Sequence, residues 1–196
     1  MYSTIEEISV GSTKQLFHGP CIDDDLLLFP EFGSVPVPEV PKRMGCLLVG
    51  LCLRGEARYT VDTEERLVKA NDVIIISEGQ VVNNSQLSCD FSGIAIMMSE
   101  NFFNEVLKGV HDLSSLFLFS RKHPVFGLRI DEVENLMSYF QKIQSKVEAQ
   151  EHAFRRDVVR SLLAAMIYDI GHVMYGVQQG GAKKQTRAES IFTEFI

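Results

Sequence analysis

The sequence predicts an α+β architecture, a small antiparallel β-barrel or jelly roll followed by long packing helices. Three observations predict it. Between residues 26 and 98, short runs rich in Val, Ile and Leu alternate at close spacing with Gly, Asn, Asp and Pro. No helical stretch intervenes, a pattern that suits a sandwich or barrel rather than a parallel sheet. From Ser99 onward the apolar spacing becomes helical. The composition, 45% hydrophobic and 23% charged over 196 residues, is sufficient for a packed core at this size.

The strands can be justified in order. Residues 45–53 form a nearly uninterrupted apolar run, as a strand covered on both faces requires. Arg54-Gly55-Glu56 reads as a tight turn into residues 57–62, where Ala57, Tyr59 and Val61 alternate with Arg58, Thr60 and Asp62. Those two runs are expected to pair as a hairpin. Leu67-Val68 is a further short strand, Asn71-Asp72 a turn, residues 73–77 a buried run ended by Gly79, and residues 91–98 the last clear strand.

In the helical half, Ser99 is a natural N-cap, Glu100 suits the positive end of the helix dipole, and Gly109 is placed to stop the helix. Residues 112–119 are apolar, and too short to assign. Asp131 with Glu134 reads as a capping box opening a helix whose apolar positions are Val133, Leu136, Met137, Phe140, Ile143 and Val147. A final helix over residues 154–177 would be about 36 Å long at 1.5 Å per residue. It is apolar on two sides. Val159, Leu163, Met166, Ile170, Val173 and Val177 form one stripe, and Val158, Leu162 and Ala165 a second. One stripe can cover the barrel, and the surplus predicts a partner, the same helix of a second subunit. Val159, Leu163, Met166, Ile170 and Val173 are the candidate dimerisation residues of a homodimer; the alternative is a helix wedged in its own core.

Residues 1–178 thus form the first unit. Residues 179–187, polar and Gly-containing, read as a linker. Residues 188–196 then begin another amphipathic helix, with Ile191, Phe192, Phe195 and Ile196 on adjoining positions, which predicts a longer protein; a terminal helix that folds back is the alternative.

Charge and cysteine usage narrow the function. Net charge is −7; residues 182–196 carry +1, leaving −8 on the first 181. A body this acidic lacks the cationic footprint that holds a phosphate backbone, so it is not expected to bind nucleic acid. Cys21, Cys46, Cys52 and Cys89 are scattered, with neither C-x-x-C nor finger spacing, and read as small buried hydrophobes. The N-terminus has neither the basic patch nor the apolar run of a secretory signal, and no window approaches 18 consecutive apolar residues. A cytoplasmic protein without a membrane partner is expected.

The order of these features resembles the cupin-like sensor domains of AraC-family transcription regulators. The residues that carry the resemblance are Gly55, Tyr59-Thr60-Val61, Leu67, the Asn71-Asp72 turn, the run from Val73 to Ile76, and Gly79, with Asn71 and Ser77 where the family commonly has Gly and Pro. In the second half they are His123-Pro124-Val125-Phe126 before the Asp131 helix, then the long helix, the polar linker and a new helix at Arg187. The resemblance implies a cupin-like antiparallel β-barrel or jelly roll with dimerisation helices. An N-terminal arm, about residues 2–25, would close the barrel over a small-molecule effector, such as a sugar-like one. DNA would be read by a C-terminal helix-turn-helix module beginning near residue 188. Arg43, Arg58, Tyr59 and Asn84 are the polar candidates for reaching the effector.

Cupin enzymes offer the competing reading. Their metal needs converging ligands, usually His-x-His and Glu from one motif and a later His. Residues 46–54 contain no His, and Val82 stands where the later one is expected. His18, His111, His123, His152 and His172 all fall outside the assigned strands, so neither metal, cofactor nor catalytic residue is expected. Cys46 and Cys52, six apart and facing one side of a strand, are better read as core than as a redox pair. No G-x-S-x-G, Walker A or G-x-G-x-x-G motif occurs. The alternatives to the regulator are a stand-alone cupin-like small-molecule-binding protein and a metal-independent cupin isomerase or epimerase.

Overall fold

The computed structural model describes residues 5–34, 38, 40–108 and 114–193; for residues 34, 114–117 and 180–193 only the backbone is described. The expected Gly109 helix stop, His111, Phe195 and Ile196 lie outside the described residues, as does the start of the arm at Tyr2.

The chain opens with β1 (Glu6–Ile8), α1 (Val10–Leu16), β2 (Cys21–Ile22) and β3 (Leu26–Phe29), followed by one 3-10 turn. Seven strands follow: β4 (Lys42–Met44), β5 (Leu47–Arg54), β6 (Glu56–Val61), β7 (Glu64–Lys69), β8 (Asp72–Ile76), β9 (Val81–Leu87) and β10 (Ser92–Met98). The second half holds α2 (Glu100–Leu107), α3 (Ser114–Lys122), β11 (Val125–Gly127), α4 (Ile130–Glu148) and α5 (Arg155–Thr193).

The strands form two sheets, one in the order β1-β4-β9-β6-β7 and the other β11-β8-β5-β10-β3-β2. All described pairings are antiparallel except β1 with β4. This is a jelly roll of two facing sheets rather than a closed barrel. From β5 to β10 the chain switches sheets at every connection but β6 to β7.

The second sheet is covered on both sides, and strand alternation shows how. In β5, Leu47, Val49 and Leu51 join a core shared with the helices, while Leu48 and Cys52 join the core between the sheets. In β10, Ile96 and Met98 face the helices and Ala95 and Met97 face the other sheet. In β3, Leu26 and Leu28 oppose Leu27 and Phe29 in the same way. A side-chain period of two turns one apolar strand into two walls. Burying a side chain of this size contributes about 1.5–3 kcal/mol.

The helical layer closes the outer face. Ser99 caps α2 as expected, its Oγ accepting from Phe102 N–H at 3.1 Å. Helix α4 buries Leu136, Phe140, Ile143 and Val147 as its spacing predicts. Its cap lies two residues earlier than expected: Arg129 N–H donates to Glu132 at 2.7 Å, and Asp131 sits in the first turn. Arg156 of α5 ties this layer to the arm and to α2. Its guanidinium meets Asp25 at 2.8 Å and Glu105 at 3.1 Å, and stands 4.7 Å over the Phe102 ring. Burial raises the Asp25 pKa, but the Ser99 hydroxyl and Arg156 outweigh it and hold the carboxyl below its usual range.

Three expectations are corrected. Strands β5 and β6 do not pair: β5 lies between β8 and β10, and β6 between β7 and β9. Gly55, at φ +76°, makes a corner between sheets rather than a hairpin turn, and the hairpin is β6–β7. The stretch 179–187, expected as a linker, is helical, because α5 continues to Thr193; its Ala, Lys, Gln and Arg propagate a helix already nucleated upstream, against the cost of Gly180-Gly181. The stripe assigned to dimerisation lies in the chain's own core. Val159, Leu163, Met166 and Ile170 are at most 3% exposed and Val173 is partly buried against the same cluster, since this face meets α4 and the outer side of the sheet. The segment Arg155–Gln179 is long and apolar enough by composition to cross a membrane, and one face of it lies in this core.

Gly55→Ala is expected to lower stability by about 2 kcal/mol in urea denaturation, because the backbone is left-handed there. The added Cβ would also lie 2.5 Å from Ser88 Oγ and 2.7 Å from Phe91 Cα. An unchanged midpoint would contradict the corner.

Candidate functional site

Between the sheets lies a cavity of about 420 Å³. Its wall is mostly apolar, with Met44, Leu48, Val68, Ile76, Val82 and Met97 among its residues. The arm closes one side. Strand β1 adds alongside β4 with Ile8 opposite Met44, the Ser9-capped helix α1 buries Val10, and Ile8, Ser12, Thr13, Leu16 and Phe17 line the cavity. Phe17 stacks on Phe29 at 4.8 Å, and Phe29 meets Phe32 edge-on at 5.6 Å, so rings complete the wall.

The four sequence candidates separate sharply. Tyr59 lines the cavity and is 5% exposed. Its hydroxyl has no hydrogen-bond partner, and burial pushes the phenol well above its usual pKa, so it is a neutral donor. Arg58 contributes to the wall, but its side chain is 58% exposed and faces Glu65 at 3.9 Å on the outer side of the sheet. Arg43 is exposed, with Nη1 3.5 Å from the Gly79 carbonyl, and is not a cavity residue. Asn84 is exposed too. It sits at φ +52° in β9, where the register shifts between Arg58–Gln86 and Thr60–Asn83, so a bulge turns it out of the alternation. Arg43 and Asn84 are therefore withdrawn as effector contacts.

Sequence reasoning missed Lys42. In β4, Lys42 and Met44 share the inward face and Arg43 points out. The parity with buried Met44 was the available signal. Lys42 forms an ion pair with Glu6 of the arm, so its charge is already matched at the cavity edge. A sugar-like ligand, which needs many polar partners, is a poor match for this wall; a largely apolar molecule suits it.

Cys46 and Cys52 do face the inter-sheet core. Burial pushes the Cys46 thiol up to about 12 and the Cys52 thiol up to about 11. Both remain protonated near neutrality and act as small apolar fillers. Among the described residues, no three His, Cys, Asp or Glu side chains gather as a metal site. His18, His123, His152 and His172 lie outside the strands.

The described residues thus form a two-sheet jelly roll with an arm-closed apolar cavity and a helical layer on its back. No protein-family model matches the chain, and no curated protein is significantly similar to it. Solved structures do resemble it. Apo ToxT from Vibrio cholerae is 10% identical with a TM-score of 0.48, over 77% of this chain and 57% of that one. The AraC-like transcriptional activator CuxR is 15% identical with a TM-score of 0.39, over 74% and 52%. A cupin superfamily protein from Desulfitobacterium hafniense is 15% identical with a TM-score of 0.32, over 41% and 72%. The neighbours thus include ToxT, an AraC-like activator and a cupin superfamily protein, and this chain spans little more than half the length of ToxT and of CuxR.

With iodoacetamide at about pH 8, exposed Cys89 is expected to alkylate within minutes, while Cys46 and Cys52 stay unmodified until denaturant is added. Because the thiolate is the nucleophile and burial raises both thiols, their slow labelling should rise about tenfold per pH unit and level off only near 11–12. Mass spectrometry of tryptic peptides reads this, and early labelling of Cys46 would contradict the closed inter-sheet core.

Proposed function

We propose that this chain is the sensor domain of an AraC-type transcription regulator, binding a small, mainly apolar effector between its two sheets. The observation that carries the reading is the mostly apolar, arm-closed cavity between the two sheets. A core built only for stability would fill such a space, since interiors pack to near-crystalline density. The domain is a binding module and performs no catalytic step. It works in the cytoplasm as a homodimer, with DNA read by a module outside the described residues. The acidic body supports that division of labour, because phosphate backbones need cationic surface.

Effector binding changes the regulator by favouring one arrangement of arm and helices over another; only such differential affinity shifts a population. The arm is suited to this role because it contributes both to the cavity wall and, through Asp25, to the Arg156 junction. With the first apolar stripe of α5 buried from Val159 to Ile170, pairing falls to its outer side, where Tyr168 and Tyr175 are exposed.

The neutral dye N-phenyl-1-naphthylamine tests the cavity. It is expected to bind one site at micromolar concentration and to brighten. Ala57→Phe, which fills the cavity from β6, should abolish the signal while the circular dichroism spectrum stays native; equal binding by that variant would refute the assignment. In sedimentation at micromolar concentration the chain should be a dimer that Tyr168→Glu with Tyr175→Glu converts to monomer. A monomeric parent would remove homodimerisation from the proposal.

A further inference from the structure

Resting on that cavity reading, we infer that the ligand carries an aromatic ring, and that Gly50 makes room for this ring beside a row of phenylalanines. Pairing register places the parts. Across the six-stranded sheet, Ile74, Gly50, Ala95 and Phe29 stand side by side on β8, β5, β10 and β3. Gly50 falls on the face that Leu48 and Cys52 turn towards the second sheet, and Ile74, Ala95 and Phe29 pack into that same core. Two large side chains thus flank two small ones, on strands about 4.8 Å apart. The next row, Ile76, Leu48, Met97 and Leu27, is large throughout, so the depression ends there.

A glycine inside a strand forfeits packing and needs a reason, commonly a bulge or the close approach of a ligand. At Gly50 both ladders run in unbroken register, and the described glycines with positive φ are Gly55 and Gly79. The reason is lateral. A Cβ on Gly50 would stand 2.8 Å from Ile74 Cγ2 and 3.7 Å from Ala95 Cβ. Ile74 therefore leans across the vacant position, and its branched Cβ leaves it few rotamers to escape into. Gly50 and Ile74 both line the cavity, and Ile74 keeps open surface although β8 is an inner strand. Any side chain at residue 50 would push Ile74 up into the cavity.

The flank beyond Ala95 is aromatic. Phe29 stacks on Phe17 at 4.8 Å and meets Phe32 edge-on at 5.6 Å, and Phe32 meets Phe91 edge-on at 6.4 Å. All four line the cavity, and Phe17, Phe32 and Phe91 are only partly buried. A ligand ring on this flank gains the offset or edge-to-face contacts that an alkyl chain of equal area lacks. It also enters rigid, whereas a chain loses rotamer freedom in the same space.

Three alcohols with equal carbon number separate ring from chain in isothermal titration calorimetry: 3-phenylpropan-1-ol, 3-cyclohexylpropan-1-ol and nonan-1-ol. Each Kd is scaled by the alcohol's own water–octanol partition coefficient. On that scale the wild-type chain should bind the phenyl alcohol at least about threefold more tightly than nonan-1-ol. Phe32→Leu should weaken the phenyl alcohol about 2- to 10-fold and leave the other two within about twofold. Gly50→Ala should weaken both ring alcohols at least about fivefold, because Ile74 moves into their space, and leave nonan-1-ol within about twofold. A scaled preference for nonan-1-ol, or an equal response of all three alcohols to either substitution, would overturn this inference and leave the cavity reading intact. Failure of N-phenyl-1-naphthylamine and of all three alcohols to bind would overturn both the inference and the reading beneath it. Should either variant not fold, isotope-filtered NMR of the phenyl alcohol on the wild-type chain decides. Nuclear Overhauser contacts from its ring protons to the Ile74 and Phe32 side chains support the placement, and their absence at either residue refutes it.

Discussion

Everything in this molecule hangs on one sheet that is apolar on both faces. Its strands β3, β5, β8 and β10 each send alternate side chains to two different cores, one under the helices and one facing the second sheet. A strand of that kind has no solvent side, so it must be covered twice or not form. The helices supply one cover and the more polar five-stranded sheet the other. The cavity exists because the second cover is not filled to the end: β4, β6 and β9 present Met44, Ala57, Val82 and Tyr59 across a gap that the opposite wall does not reach.

The same arrangement links cavity to helices. Leu48 looks into the cavity while Leu47 and Val49 seat the helical layer, so a change in the filling of one side bears on backbone shared with the other. Packed interiors transmit such displacement rather than absorb it. Arg156 adds an ionic tie at the edge, where carboxylates from the arm and from α2 converge on a residue of α5.

Much of this was legible in the sequence, and the failures have physical reasons. Alternation around Tyr59 put the ring inside, and the 3.6-residue period of α4 located Leu136, Phe140 and Ile143 correctly. The apolar run at residues 45–53 announced a doubly covered strand. Pairing partners were not legible, because a glycine at positive φ serves a hairpin and a corner equally well, and Gly55 serves the corner. At Asn84 a bulge resets strand parity, whereas at Lys42 parity with buried Met44 would have shown an inward side chain. On α5 two apolar stripes could be counted, but which one the domain itself would cover depended on where α4 and the sheet lie, and composition carries no such coordinates. The cavity is likewise invisible in one dimension, since the residues that frame it run from the arm to β10.

The corners between sheets carry a further implication, for assembly of the chain. Along most of β5 to β10, successive strands belong to opposite sheets, so neighbours in the chain are strangers in the hydrogen-bond ladder. No contiguous half contains a finished sheet, and severing the polypeptide between any two of these strands would strip members from both. Such a topology closes long loops before its pairings repay the entropy. It folds as a whole or not at all, which makes the β half a single cooperative unit rather than a stack of separable hairpins.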